Sequence, residues 1–204
     1  MKPSVLIPLS SLVFLVSSKP LANPAGTNAR SCFPILATFE ELSAVPALPE
    51  LTNVGFYDYL NYQGFDVLQA GVNAVWPQSG VKVAANAITG SLLHGPPAFI
   101  APSGSFSLAS LYFGCVIDTV EAVVGFPESC TIAFEAFKQG KSTPLGTVTK
   151  QFNPTGLANN AMAVVEFPDS WTGLASVQIS IVGAPSTTAL AVLLIDNVAY
   201  VACP

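Results

Sequence analysis

The sequence predicts an all-β domain. Three observations carry the prediction: short apolar runs alternate with polar residues at a period of two, prolines fall between those runs, and four cysteines stand in the same part of the chain. No segment of convincing length repeats its apolar residues at the helical period.

In chain order, Phe106 and Leu108 share one face, after which the apolar set shifts by one residue to Leu111, Phe113 and Cys115. A one-residue slip turns every side chain over, so the shift predicts a β-bulge near Ala109 and Ser110. Cys130, Ile132, Phe134 and Ala136 predict a strand with one buried face, and Lys138-Gln139-Gly140-Lys141 predicts the tip of a hairpin. Val177, Ile179 and Ile181, alternating with Ser176, Gln178 and Ser180, form the cleanest such pattern. Leu190 to Ile195 is continuously apolar and predicts a central strand covered on both faces. Pro46, Pro77, Pro96, Pro127, Pro154 and Pro185 lie between these runs, where a missing amide donor does no harm.

The chain begins with Lys2, an apolar stretch from Val5 to Val16, and the small residues Ser17 and Ser18. This order reads as a cleavable secretory leader over residues 1–18, with the cut before Lys19. The stretch is shorter than the roughly 20 apolar residues a membrane helix needs. Residues 19–31, with two prolines and a glycine, read as a flexible mature N-terminus, in which Arg30 is a candidate processing position. Residues 32–204 read as one domain without internal repeats, secreted and with no membrane span in its mature form. Loss of Lys2 leaves six basic against twelve acidic residues, a formal net charge of −6. The basic residues form no run, so a phosphate backbone is excluded as partner.

Four cysteines in an exported chain pair in an oxidising compartment, and three connectivities exist. Cys115 and Cys130 flank one short connection, while Cys32 and Cys203 stand near the two ends of the domain, so the pairs Cys115 with Cys130 and Cys32 with Cys203 are expected. Chain entropy gives the long loop about 4 to 5 kcal/mol and the short one roughly 3 kcal/mol. Catalytic patterns are weak. Gly-x-Ser-x-Gly is absent, and the single histidine, His94, reads as a solvated loop residue in Leu-Leu-His-Gly-Pro-Pro. Gly140-Lys141-Ser142-Thr143 copies the tail of a phosphate loop, but position 135 is Glu and the context is a hairpin. Glu40 and Glu41 are expected side by side on a strand, facing opposite ways. No Cys-x-x-Cys accompanies the lone histidine, which argues against zinc.

Thr38-Phe39-Glu40-Glu41-Leu42, Phe65-Asp66-Val67-Leu68, Gly104 to Phe113 and Leu193-Leu194-Ile195-Asp196-Asn197-Val198 occur in an order that resembles secreted jelly-roll domains. The chain is similar, from Cys32 to Cys203, to small secreted β-sandwich proteins of filamentous fungi, whose architecture resembles that of galactose-binding-like carbohydrate-binding modules. The resemblance implies an antiparallel two-sheet β-sandwich of jelly-roll type. It further implies a structural calcium ion between Glu40 and Asp196, with Glu41 or Asn197 and backbone carbonyls completing its shell, and no other cofactor. A glycan platform is implied at Phe56 to Tyr62, with Tyr57, Asp58, Tyr59, Asn61 and Tyr62 as binding residues and Trp76 as a rim aromatic. Core packing of those tyrosines is the competing reading, and Trp171 is expected to pack beneath a connection. The expected function is non-catalytic binding of cell-wall or host glycans. A secreted effector-like or surface protein contacting a host protein is the alternative, and a carbohydrate-active hydrolase or lyase the third reading.

Overall fold

Period-two patterning dominates the chain, and the computed structural model is accordingly almost all strand. It describes residues 31–43, 52–69, 75–119, 122–184 and 191–204. The expected leader, nearly all of the expected N-terminal segment, and Pro46, Pro185 and Leu190 lie outside the described residues.

The elements in order are β1 (Phe33–Ala37), β2 (Thr52–Tyr57), β3 (Leu60–Gln69), β4 (Val75–Trp76), β5 (Lys82–Asn86), α1 (Ile88–His94), β6 (Ala98–Ile100) and β7 (Ser105–Thr119). They continue with β8 (Ala122–Pro127), β9 (Cys130–Lys138), β10 (Gly146–Phe152), β11 (Asn160–Ala161), β12 (Ala163–Glu166), β13 (Leu174–Gly183) and β14 (Ala191–Cys203). Twelve strands form one sheet in the order β10-β9-β13-β6-β3-β5-β14-β7-β12, with β1 beside β14, β2 beside β3 and β8 beside β7. A bridge from Leu174 to Phe106 joins β13 to β7 and closes the path β13-β6-β3-β5-β14-β7 on itself. This corrects the expectation of two separate sheets. One antiparallel sheet supplies both walls, because its long strands change neighbours partway along. One edge of β3 passes from β6 to β5, and one edge of β14 passes from β5 to β1.

The inward rows meet in one core. Phe113 lies edge-on to Phe134 at 6.5 Å and to Phe152 at 6.4 Å, and Phe134 lies edge-on to Phe167 at 5.1 Å. Such aromatic pairs add to the burial of their area. Trp171 stacks on Phe167 at 4.9 Å beneath the connection into β13, as expected. Val177 and Ile179 face inward, and Cys130, Ile132, Phe134 and Ala136 are all buried. The bulge in β7 is present: Ser110 pairs with Ala199 and Leu108 with Tyr200, leaving Ala109 without a partner. Ala191 to Ile195 is buried on both faces. Both expected disulfides form, Cys115 with Cys130 across β7 and β9, and Cys32 with Cys203 tying the start of β1 to the end of β14.

The short helix α1 departs from the sequence reading. Ile88, Thr89, Gly90 and Ser91 have poor helix propensity, and Leu92 and Leu93 point into solvent, so no apolar helical face is written in the sequence. At its two ends, Ser91 N donates to Ala87 O and Gly95 N to Ser91 O, each at 3.0 Å. Packing against β3 holds it.

Truncating Phe134→Ala removes a fully buried ring with two aromatic neighbours. Urea unfolding is expected to show a loss of about 3–5 kcal/mol. Val182→Ala, on the exposed face of β13, is expected within about 0.5 kcal/mol of the unsubstituted protein.

Candidate functional site

The aromatic cluster Phe56 to Tyr62 is a hairpin. Tyr57 pairs with Leu60, and the turn residues Asp58 and Tyr59 have φ of 48° and 69°, the left-handed pair that a two-residue turn requires. Asn-Gly is the usual sequence for such a turn, and a tyrosine there carries a conformational cost. Tertiary contacts offset it: the Tyr200 hydroxyl donates to the carbonyl of Asp58, and the Tyr59 ring stands edge-on to Phe33 at 4.9 Å.

Strand alternation then sorts the cluster. Tyr62 is 0% exposed, enclosed by Phe39 at 5.3 Å and Phe99 at 5.2 Å, so it belongs to the core and cannot meet a ligand in solvent. Tyr57 is half-buried, and its hydroxyl donates to Glu41 Oε2 at 2.5 Å. That bond holds the Glu41 carboxyl below its usual range, while burial and the same bond push the Tyr57 phenol up. Asp58 is raised by burial, with the Glu41 charge adding to the effect. Phe56, Tyr59 and Asn61 remain open or partly open to water.

Trp76 stands on a different pair of elements, the parallel bridge of β4 with β11. It is 49% exposed, and its Nε1 donates to Asn159 Oδ1 at 2.9 Å. The loop that supplies Asn159 is organised by the buried Asn160. The Asn160 Oδ1 accepts from Thr155 N at 2.6 Å and Gly156 N at 3.2 Å, and its Nδ2 donates to Gly156 O at 2.9 Å. The indole is therefore held by its polar edge, with half of its surface left to solvent. Neither asparagine was singled out from the sequence. Their only signal is the Asn-Asn pair after the turn-forming Pro154-Thr155-Gly156.

Glu40 and Asp196, far apart in sequence, converge on the turn between β4 and β5. Phe39, with φ 63°, turns the chain out of β1, so Glu40 and Glu41 lie in a turn rather than on the expected strand. Glu40 Oε1 accepts from Val81 N at 2.9 Å and Lys82 N at 2.7 Å, whereas Glu41 points away to Tyr57. Gly80 is obligatory beneath this contact: its φ is 53°, and a Cβ there would lie 2.2 Å from Glu40 Cδ. The Lys82 ammonium donates to the carbonyls of Glu40 at 2.6 Å and Leu42 at 2.7 Å. Asp196 is wholly buried, with Oδ2 accepting from Ser79 N at 2.8 Å and Oδ1 from Asn197 N at 2.7 Å. The Ser79 hydroxyl donates to Asn197 Oδ1 at 2.6 Å.

Burial pushes the Asp196 carboxyl up to about 6, against the amide bonds from Ser79 and Asn197, and the nearby Glu40 charge pushes the same way as burial. The donors here are two carboxylates, an amide oxygen and a hydroxyl, an all-oxygen set that suits a hard divalent cation. Among the described residues no three His, Cys, Asp or Glu side chains gather. A calcium ion would therefore draw the rest of its shell from backbone carbonyls. His94, expected in a solvated loop, is solvated as expected but ends α1 rather than lying in a loop, with Nε2 3.9 Å from Oδ1 of buried Asp66.

These elements define an antiparallel closed-sheet protein with exposed, braced aromatics on its surface. No protein-family model matches the chain, and no curated protein matches it. Among solved structures it is similar to a DUF4465 family protein from Bacteroides caccae, at 9% identity and a TM-score of 0.52, covering 82% of this chain and 98% of that one. That likeness shows the fold alone. A mutant family 29 carbohydrate-binding module aligns at 12% identity over 84% of this chain and 92% of its own, with a TM-score of 0.34, too low to carry an argument.

The raised Asp196 predicts a sign. The folded protein holds this proton more tightly than the unfolded chain, so Asp196 favours folding below about pH 4 and opposes it as pH rises through about 6. Between pH 4 and pH 7, Asp196→Asn is expected to gain on the order of 2–3 kcal/mol relative to the unsubstituted protein without divalent cations. Parallel urea melts at the two pH values check this.

Proposed function

We propose that this chain is an exported, non-catalytic protein that binds cell-wall or host glycans. The observation that carries the proposal is Trp76, a half-exposed indole whose N–H is already satisfied by Asn159. Sugars present C–H faces that stack on aromatic rings, and a ring pinned before binding loses little freedom when the ligand arrives. Tyr59, Phe56 and Asn61 form a second exposed aromatic and amide group, on the hairpin that the Tyr200 hydroxyl holds. Tyr57 and Asp58 support that hairpin from beneath and beside it.

We read the closed sheet as a jelly roll of galactose-binding-like kind, and the chain as a secreted fungal protein whose residues 1–18 are a signal peptide. Two formed disulfides suit an oxidising, extracellular compartment, and among the described residues no helix is long and apolar enough to cross a membrane. A structural calcium at Glu40 and Asp196 would supply positive charge beside a buried carboxylate, while Ser79 and Asn197 orient the carboxylate oxygens. In that role it would stabilise the fold and take no part in chemistry.

The test is a soluble glycan array together with pull-down on insoluble polysaccharides, each with calcium and with chelator. Trp76→Ala is expected to weaken binding about tenfold or more, a loss of roughly 1.4 kcal/mol or greater. Tyr59→Ala tests the hairpin group in the same assay. Calcium is expected to raise the Tm of the unsubstituted protein and to leave that of Asp196→Ala unchanged. If a folded, disulfide-intact protein binds none of the glycans, the proposal fails and a protein partner becomes the leading reading.

A further inference from the structure

The geometry around Asp66 points to an acid-tightened clasp that holds α1 against the sheet. Asp66 is 3% exposed, and its Oδ1 is buried with no hydrogen-bond donor. Asn53 faces Asp66 across the β2–β3 register, and its own Oδ1 is also buried without a donor. Two buried acceptors thus share one sheet face and no proton, in a setting that penalises a bare negative charge. His94, exposed at the C-terminal end of α1, places Nε2 3.9 Å from Asp66 Oδ1. Burial raises the Asp66 carboxyl, and the charge of His94 opposes that rise.

Other ionisable groups on the surrounding elements do not interfere. His94 is the single ionisable side chain of α1, β6 and residues 95–97 have none, and the Tyr57 phenol at the end of β2 is engaged with Glu41 Oε2. On β3 the Tyr62 phenol turns into the core, and on β5 the Lys82 ammonium is engaged with the carbonyls of Glu40 and Leu42. The remaining brackets on α1 are neutral. Asn86 Nδ2 donates to Gly64 O at 2.6 Å and to Ser91 Oγ at 2.9 Å, and Gln63 Nε2 donates to Pro96 O at 2.9 Å. Gly90 lets the helix lie directly on the carboxylate, since a Cβ there would come 2.9 Å from Asp66 Oδ2.

Protonation acts in one direction: a proton on Asp66 removes the buried charge and so favours the docked helix. As pH rises that proton leaves, and a bare carboxylate is left beneath the helix. The helix docks firmly in acid and loosens toward alkaline pH, while the strands beneath it stay paired through their backbone bonds. Leu92, Leu93 and the Gly95-Pro96-Pro97 segment move with it, which alters the surface beside β3 and β6.

Hydrogen exchange tests the clasp on the full chain. Protection factors for the amides of Ser91 and Gly95, corrected for intrinsic exchange, are compared at pH 5 and pH 8 with those of β13. The α1 amides are expected to lose protection by about tenfold, one pKa unit's worth of differential interaction, while β13 stays constant. Asp66→Asn is expected to remove the pH dependence. Equal pH dependence in the unsubstituted protein and Asp66→Asn would overturn the proposal. Should Asp66→Asn fail to fold, an NMR titration of the unsubstituted protein decides. A shared inflection for the Asp66 carboxyl and the Ser91 and Gly95 amides supports the clasp, and amides that ignore the Asp66 titration refute it.

Discussion

β14 has to change neighbours halfway along its length, and the bulge at Asn197 is where it does so. One edge of the strand stays on β7 throughout, while the other passes from β5 at Leu193–Ile195 to β1 at Val198–Ala202. Between these segments, Asn197 takes φ 47° and breaks the register against β7. A flat strand could not serve both neighbours, and a bulge adds the local bend and twist that closure of a sheet requires. The compensating slip at Ala109 in β7 restores register one step further on.

The same bulge creates the polar centre of the molecule. It presents the Asp196 carboxylate and the Asn197 amide to the turn that carries Ser79, while β1, seated beside the second half of β14, brings Glu40 to the other end of that turn. Trp76 leaves β4 just before this turn. Backbone amides then do the holding, which is why the turn accepts two acidic side chains without collapsing onto an apolar surface. The desolvation of Asp196 outweighs these amide bonds, and the site is left electrostatically unbalanced at neutral pH. Asp66 repeats that imbalance under α1 with a different remedy, a histidine in place of amides.

Much of the fold was legible in the sequence. Alternation in β9 and β13, the slip in β7 and the hairpin tip at Gly140 are local signals, while both disulfide pairs were read from the number and placement of the cysteines, and each appears where expected. The site was legible only in part. Glu40 and Asp196, far apart in sequence, both accept from backbone amides of the turn between β4 and β5, while Glu41 serves Tyr57. Tyr62 and Tyr59 look alike in the sequence, yet one is core and the other open, because Tyr59 sits in the two-residue turn while Tyr62 falls on an inward position of β3. Asn-Gly would have announced that turn, and Asp-Tyr does not. Helix α1 was invisible because its stability comes from contacts with β3 and β5 rather than from its own propensity.

By itself the sequence determined that the chain is an acidic, disulfide-bonded β protein, because strand period and proline placement are properties of neighbouring residues, and cysteine number and charge are properties of composition. Only the tertiary structure decided that one sheet closes on itself, that Trp76 is braced while Tyr62 is entombed, and that His94 answers Asp66. Each of those outcomes depends on a partner distant in the chain, and burial, which sets both exposure and ionisation, exists only once the sheet has closed.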